Sequence, residues 1–441
     1  MNDLFGTDGV RGIANDFLTP EIAFALGRAG GYVLTEHGGR RPIVVGRDTR
    51  CSGPMLEAAL SAGLCSVGLD VWNVGIVPTP AVAYLTRVLQ AGAGVMISAS
   101  HNPIEDNGIK FFAASGRKLA DQLEDEIASQ VYAHQSLPRP VGVSVGTIAD
   151  RRRSAKLYRD HCVSLGADLR DLIVVLDGAY GAAYDSAPKV LRALGARVIP
   201  LHCVADGRRI NVNCGATDLG ALRAAVRAQP GSVGVAFDGD ADRALFVDEN
   251  AADVTGDHVL AILAKELIAS GDLPKKTVVA TVMSNLGLEL AVAEMGGTLL
   301  RTSVGDRYVL EEMQRGGYRI GGEQSGHIID LHGNTTGDGI ATAAALLSLA
   351  AKAGSLSSLA ASMRTYPQIL INVPVADKRR AQMDEGVRSE IASIEEQLAG
   401  QGRILVRPSG TEPLVRIMIE GRDEGQMRRL AHKLAEKISA A

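Results

Sequence analysis

Two hydrophobic patterns alternate along the chain. Short apolar runs at Pro42-Ile43-Val44-Val45, Asp70 to Val74, Gly94-Val95-Met96-Ile97, Leu172 to Leu176, Val233 to Phe237 and Thr277 to Met283 predict strands with both faces buried. Helical segments fall between them. Met55 to Val67 and Ser154 to Leu165 read as helices, and Thr19-Pro20-Glu21 is a helix start. Leu119, Leu123, Ile127 and Val131 recur every fourth residue, which lines one face of an amphipathic helix. Strands alternating with helices predict α/β units with mixed, largely parallel sheets, whose working loops gather at the carboxyl ends of strands.

The pattern occurs three times. In each unit an early strand ends in a polar loop (Gly46, Asp177, Ser284), and a later strand ends in a denser one holding Ser100, Asp238 or Glu323. Three related units facing one cleft would bring those loops together. Ser136 to Gly142 reads as a linker. From Gln368 the order becomes strand, helix (Ala381 to Leu398), strand, strand, helix, a small α+β domain. The expected domains are 1–150, 151–253, 254–366 and 367–441.

Composition narrows the function. The 441 residues are 46% apolar and 22% charged, enough for a multidomain globular protein with a large core. A net charge of −4 excludes a broad nucleic-acid surface. The start has no basic and apolar leader, and the most apolar stretch, Ala341 to Ala351, is too short to span a bilayer. Five scattered cysteines show no metal or disulfide spacing. The expectation is a soluble cytoplasmic protein that binds neither nucleic acid nor membrane.

Five stretches carry candidate chemistry. In Ser98-Ala99-Ser100-His101-Asn102-Pro103, the Asn-Pro pair predicts the cap and first turn of a helix, whose N–H groups and dipole would favour a phosphoryl group on Ser100. Asp238, Asp240 and Asp242 alternate before Arg243, so an extended segment would point three carboxylates one way, toward a hard cation such as Mg2+. A solvated acidic turn is the alternative. An EF-hand is not, because Arg243 stands where that loop needs glycine. Glu323, Ser325 and His327 alternate behind two glycines and would suit sugar hydroxyls, although His327 reads equally as a structural histidine. Arg407-Pro408-Ser409-Gly410-Thr411-Glu412-Pro413, with Arg416, offers two guanidinium forks, two hydroxyls and a glycine-opened backbone for a phosphate, or else a tight hairpin. Near the start, Gly6, Gly9 and Gly12 surround Arg11, and Lys110 reads as a loop lysine or a site residue. Together these supply a phosphoryl carrier, a carboxylate site for a cation, a polyol surface and a separate phosphate clamp, the parts of phosphoryl transfer on a sugar phosphate.

With these motifs in this order from Phe5 to Arg416, the chain is identified as a member of the α-D-phosphohexomutase superfamily. Phe5 to Gly12, Gln324 and Thr336-Gly337-Asp338-Gly339 resemble its bacterial branch acting on glucosamine phosphates, whereas mannose-acting relatives usually carry Met at the Gln324 position. The resemblance implies four domains around a central cleft, with Ser100 phosphorylated and one Mg2+ held by Asp238, Asp240, Asp242 and the Ser100 phosphate. It implies interconversion of glucosamine 6-phosphate and glucosamine 1-phosphate through a hexosamine 1,6-bisphosphate, feeding UDP-N-acetylglucosamine and cell-wall precursor synthesis. Substrate binding falls to Arg243, Gly305, Asp306, Glu323, Ser325, Arg407, Ser409, Gly410, Thr411 and Arg416, and proton transfer to Lys110, Arg11 or His327. A kinase or a bisphosphate would prime Ser100, and the chain would be a monomer or homodimer. The alternatives are a mutase for glucose or mannose phosphates and a non-catalytic sugar-phosphate binding protein.

Overall fold

The computed structural model describes residues 4–6, 8–38, 41–377, 383–398, 401–408 and 413–440. The first unit contains β1 (Val10–Ile13), α1 (Pro20–Gly38), β2 (Ile43–Arg47), α2 (Gly53–Ser66), β3 (Val71–Ile76), α3 (Thr79–Val88), β4 (Ala93–Ile97), β5 (Asp106–Ala113), α4 (Asp121–Tyr132) and β6 (Ile148–Asp150). Its sheet runs β1-β5-β4-β2-β3-β6. The β2, β3, β4 and β6 strands are parallel, and β5 returns antiparallel to β4. Every residue of β4 is buried, as expected of an apolar strand covered by helices on both faces. On one face α1 and α2 meet backbone to backbone. A Cβ on Gly27 would stand 2.3 Å from the Leu60 carbonyl oxygen, and one on Gly63 2.3 Å from that of Phe24. No side chain fits at either place.

The second unit adds α5 (Ala155–Ser164), β7 (Ile173–Asp177), α6 (Ala183–Ala193), β8 (Arg197–Leu201), α7 (Gly220–Ala228), β9 (Ser232–Phe237), β10 (Ala244–Val247) and β11 (Asp253–Val254), with sheet order β11-β10-β9-β7-β8. The third has α8 (Gly256–Ser270), β12 (Thr277–Thr281), α9 (Leu286–Glu294), β13 (Thr298–Thr302), α10 (Asp306–Gly316), β14 (Ile320–Gly322), β15 (Ile328–Asp330), α11 (Gly339–Ala353) and α12 (Leu356–Ala360), with order β13-β12-β14-β15. In both, the central strands are parallel, and antiparallel pairing is confined to one side, at β10 and β11 in the second unit and at β15 in the third. One apolar core runs through all three units, from Val82 and Met96 through Phe237 to Leu260 and Val278.

The last unit has β16 (Gln368–Pro374), α13 (Glu385–Leu398), β17 (Gly402–Pro408), β18 (Leu414–Gly421) and α14 (Glu424–Ala440), and its three strands are antiparallel in the order β16-β18-β17. It has its own core around Ile394, Ile417 and Leu434. Polar contacts join it to the third unit. Arg403 donates to the Val282 and Ser284 carbonyls at 2.8 and 2.5 Å, and Glu420 accepts from Leu286 N–H at 2.8 Å. No helix among the described residues is long and apolar enough to cross a membrane.

Three local expectations fail. No helix opens at Asn102-Pro103: residues 100–105 form a turn, and β5 begins at Asp106. The antiparallel return into β5, which begins three residues after Pro103, leaves no room for a helical turn. The dipole argument for Ser100 therefore lapses. Residues 238–243 and 323–327 are likewise turns rather than extended segments. Ala241 at φ +57° and Gly326 at φ +92° bend them, so their side chains converge through the turn and not through strand alternation.

Candidate active site

Ser100 sits at the carboxyl end of β4, only 2% exposed and in the left-handed conformation at φ +52°. Arg50 braces its loop. This guanidinium is wholly buried and donates to the carbonyl oxygens of Ser100 at 3.0 Å, Asn102 at 2.8 Å, Asp106 at 2.9 Å and Pro103. Those bonds supply what a helix would have supplied to the loop's carbonyls. Asp48 receives Arg50 Nε at 3.1 Å and the Ser98 hydroxyl at 2.6 Å, and Ser98 Oγ accepts the Ser100 N–H at 2.9 Å. From the second unit, Asn211 Nδ2 donates to the Ser100 carbonyl at 2.8 Å. The Ser100 hydroxyl itself donates to Asp238 Oδ2 at 2.6 Å, and His101 Nδ1 lies 3.3 Å from it.

Asp238, Asp240 and Asp242 each offer a carboxylate oxygen within 4.8 Å of the others, all buried. Burial pushes the Asp238 carboxyl up, and Asp242 and Asp240 push it further, to about 8. Burial also opposes charge on Asp242, yet His327, Lys110 and Arg243 hold it well below the usual carboxylate range. Asp240 Oδ1 and Asp242 Oδ1 are buried and accept no hydrogen bond among the described residues. Three converging carboxylates with orphaned acceptor oxygens fit a hard divalent cation, which would satisfy those lone pairs and remove the repulsion.

Lys110 is no loop lysine. It lies on β5, 3% exposed, because β5 folds back beside β4 and turns it toward the aspartates. Its Nζ is 2.7 Å from Asp8 Oδ2, 3.4 Å from Asp240 Oδ2 and 3.9 Å from Asp242 Oδ2. Burial disfavours its charge, but Asp8 and Asp240 outweigh that and keep the ammonium protonated. Arg11 pairs with Asp8 and reaches the Ala99 carbonyl at 3.4 Å. His327 is buried with Nδ1 3.5 Å from Asp242 Oδ1 and Nε2 3.5 Å from Asp306 Oδ2. Burial works against its positive charge, but Asp242, Asp306 and Glu323 raise it to about 9.

The turn at residues 323–327 lies beside this group. Ser325 Oγ donates to Glu323 Oε2 at 3.2 Å, and Arg243 N–H donates to Asp238 Oδ1 at 3.3 Å. Gly305, at φ +132°, precedes α10 and turns Asp306 inward. Arg407 and Arg416 are paired across β17 and β18 and line a separate 230 Å³ cavity with Asn372 and, from the third unit, Met283. None of the Ser100 cluster lines that cavity. Ser409, Gly410 and Thr411 lie outside the described residues. Sequence reasoning missed Asp8, Arg50, Asn211 and Lys118. Lys118 stands in Ser115-Gly116-Arg117-Lys118, which reads as a solvated turn, yet its Nζ contacts Asp8 and Asp306.

Comparison with known proteins identifies the family. Phosphoglucomutase/phosphomannomutase models match in order: α/β/α domain I over residues 2–137, domain II over 157–252, domain III over 255–366 and the C-terminal domain over 370–437. The chain is 54% identical to the phosphoglucosamine mutase of Thermoanaerobacter pseudethanolicus, over 99% of each chain. It is 53% identical to that of Desulforudis audaxviator, over 100% of this chain and 98% of the relative. A phosphoglucomutase/phosphomannomutase family protein from Burkholderia thailandensis superposes with a TM-score of 0.86 at 26% identity, covering 100% of this chain and 98% of that one. The Aspergillus fumigatus N-acetylphosphoglucosamine mutase, solved with GlcNAc-6P and magnesium, shares the fold with a TM-score of 0.72 at 17% identity, covering 99% and 95%. With all four domain models matched and full-length relatives above half identity, the chain belongs to the phosphoglucomutase/phosphomannomutase family of phosphoryl-transferring isomerases.

Proposed function

We propose that the chain is a phosphoglucosamine mutase, interconverting glucosamine 6-phosphate and glucosamine 1-phosphate. The observation that carries this reading is the Ser100 hydroxyl bonded at 2.6 Å to one of three buried aspartates, in a chain 54% identical end to end to a phosphoglucosamine mutase. Phospho-Ser100 gives its phosphoryl group to O1 of glucosamine 6-phosphate: the Oγ–P bond breaks, the O1–P bond forms, and the O1 proton ends on Oγ. After the 1,6-bisphosphate turns over, Oγ attacks the 6-phosphate, the O6–P bond breaks, and the proton passes from Oγ to O6.

Asp238, Asp240, Asp242 and the Ser100 phosphate would hold Mg2+, which when bound neutralises phosphoryl charge. Lys110 and His327, both held protonated, donate to the reacting oxygens, and Arg11 to the transferring phosphoryl. Glu323 and Ser325 bind the sugar hydroxyls, with Arg243, Gly305 and Asp306 beside them. Arg407, Arg416, Ser409, Gly410 and Thr411 hold whichever phosphate is not reacting. The division of labour follows domains 1–150, 151–253, 254–366 and 367–441, which bring the phosphoserine, the metal ligands, the sugar loop and the clamp. On this reading the protein works in the cytoplasm on phosphorylated amino sugars.

The test is kcat/KM of Ser100-phosphorylated protein for glucosamine, glucose and mannose phosphates side by side. Preference for the amino sugar is expected, and a clear preference for a hexose without the amine would overturn the assignment.

A further inference from the structure

Six charged groups close into a ring of alternating sign that crosses three units. Lys110 Nζ lies 2.7 Å from Asp8 Oδ2, and Asp8 Oδ1 lies 2.7 Å from Lys118 Nζ. Lys118 Nζ is 2.6 Å from Asp306 Oδ2, which is 3.5 Å from His327 Nε2. His327 Nδ1 is 3.5 Å from Asp242 Oδ1, and Asp242 Oδ2 returns to Lys110 Nζ at 3.9 Å. The proposed chemistry uses Lys110, Asp306, His327 and Asp242. It gives Lys118 no part.

Lys118 follows β5, bridged to Phe112, and its side chain is 16% exposed. A buried ammonium costs several kcal/mol unless it is paired. Here two carboxylates from different units pair it, and together they outweigh burial and hold it protonated. Without it, Asp8 and Asp306 would face one another with no cation between them, and Asp306 would lose its fixed position against His327. Next to Asp306, Arg307 pairs in the opposite sense with Asp121 and Glu124 of α4. Two adjacent residues that open α10 are thus tied to the first unit by crossed ion pairs. The inner pair belongs to the ring and the outer pair does not.

We propose that Lys118 is a positioning residue for phosphoryl transfer: by bridging Asp8 and Asp306 it fixes Lys110 and His327 in their places about Asp242. The inference rests on the reading above, in which Lys110 and His327 act on the reacting oxygens. Lys118 touches neither substrate nor reacting atoms, so its effect passes through Asp8 and Asp306. Misplacing such groups by a fraction of an ångström lowers turnover more than it weakens binding.

The experiment is a double-substitution cycle with phosphorylated full-length protein, measuring kcat and KM for Lys118→Met, Asp306→Asn and the pair, with melting temperatures alongside. Lys118→Met is expected to lower kcat about 30-fold with KM changed less than about threefold. The double variant should be no slower than the worse single, because both remove the same link. Lys118→Arg, which keeps the charge, should recover at least about fivefold of the lost kcat. If Lys118→Met does not fold, Lys118→Gln, which also removes the charge, takes its place in the cycle. A wild-type kcat for Lys118→Met, or effects that simply multiply in the pair, would overturn the proposal. The unsubstituted protein separates the two readings: normal wild-type turnover with uncoupled variants sinks Lys118 alone, whereas no turnover of any hexose phosphate sinks the proposed function as well.

Discussion

Ser100 Oγ and Asp238 Oδ2 stand 2.6 Å apart, joined by a hydrogen bond between residues 138 positions apart in sequence. The bond links the end of β4 to the turn after β9, so the hydroxyl is presented to the aspartates by the docking of two sheets. Ser100→Ala removes the carrier atom and little else, since the residue is small and its loop is held by Arg50. Turnover should fall at least about 10³-fold while sugar-phosphate binding by calorimetry stays within a few-fold. Wild-type-like turnover would remove Ser100 from the mechanism.

Arg50 is the group whose loss should most disturb that loop. It is fully buried, pairs with the equally buried Asp48, and holds the carbonyls of Ser100, Asn102, Pro103 and Asp106. Arg50→Met would leave Asp48 as an uncompensated buried charge, and breaking a buried pair in this way costs about 3–5 kcal/mol. Urea unfolding measures the loss directly. A change under about 1 kcal/mol with full activity would mean that the loop holds its shape without the guanidinium.

The sequence showed the architecture because its signals are local. β4 is apolar at nearly every position, the spacing of Leu123, Ile127 and Val131 marks α4, and the change of order after Gln368 marks the antiparallel unit. It also pointed to Ser100 and the aspartate triplet, whose residue types are ordinary in loops and which stood out only through their spacing and their order along the chain. The geometry behind them was less legible. Convergence of Asp238, Asp240 and Asp242 depends on Ala241 adopting φ +57°, which no propensity predicts. The helix expected at Asn102 was replaced by bonds from Arg50, half a sheet away in sequence. Lys118 and Asp8 went unread because they meet across about a hundred residues of the first unit and Asp306 comes from the third, and a lone lysine beside a glycine turn reads as solvated.

The triplet predicts how the protein responds to metal. Burial and then carboxylate repulsion raise Asp238 to about 8, and Asp240 Oδ1 and Asp242 Oδ1 accept no hydrogen bond among the described residues. A cation binding only the folded state stabilises it by about 2.7 kcal/mol at a hundredfold excess over its dissociation constant. Mg2+ should therefore raise the melting temperature, and chelator should reverse the rise. Asp238→Asn should abolish most of that increment. An equal Mg2+ shift in the variant would place the ion elsewhere.

Glu124 on α4 makes the interface between the first and third units sensitive to pH. Burial raises its carboxyl, the Lys118 ammonium opposes that, and Asp8 and Asp125 add to it, with the result at about 7 against 4.5 for an ordinary glutamate. Below about pH 4.5 the group is protonated whether the chain is folded or not, and it makes no difference to stability. Between there and about pH 7 the folded protein holds a proton that the unfolded chain releases, so stability falls as pH rises through that window. Above about pH 7 the loss is complete, on the order of 1–3 kcal/mol after allowance for partial solvent contact. Glu124→Gln carries no such charge, so its stability relative to the parent should rise from pH 5 to pH 8 by that amount. Chemical unfolding of both proteins across the range measures it. A difference that stays flat would show that Arg307, 3.4 Å from Glu124, already neutralises the carboxylate in the folded protein.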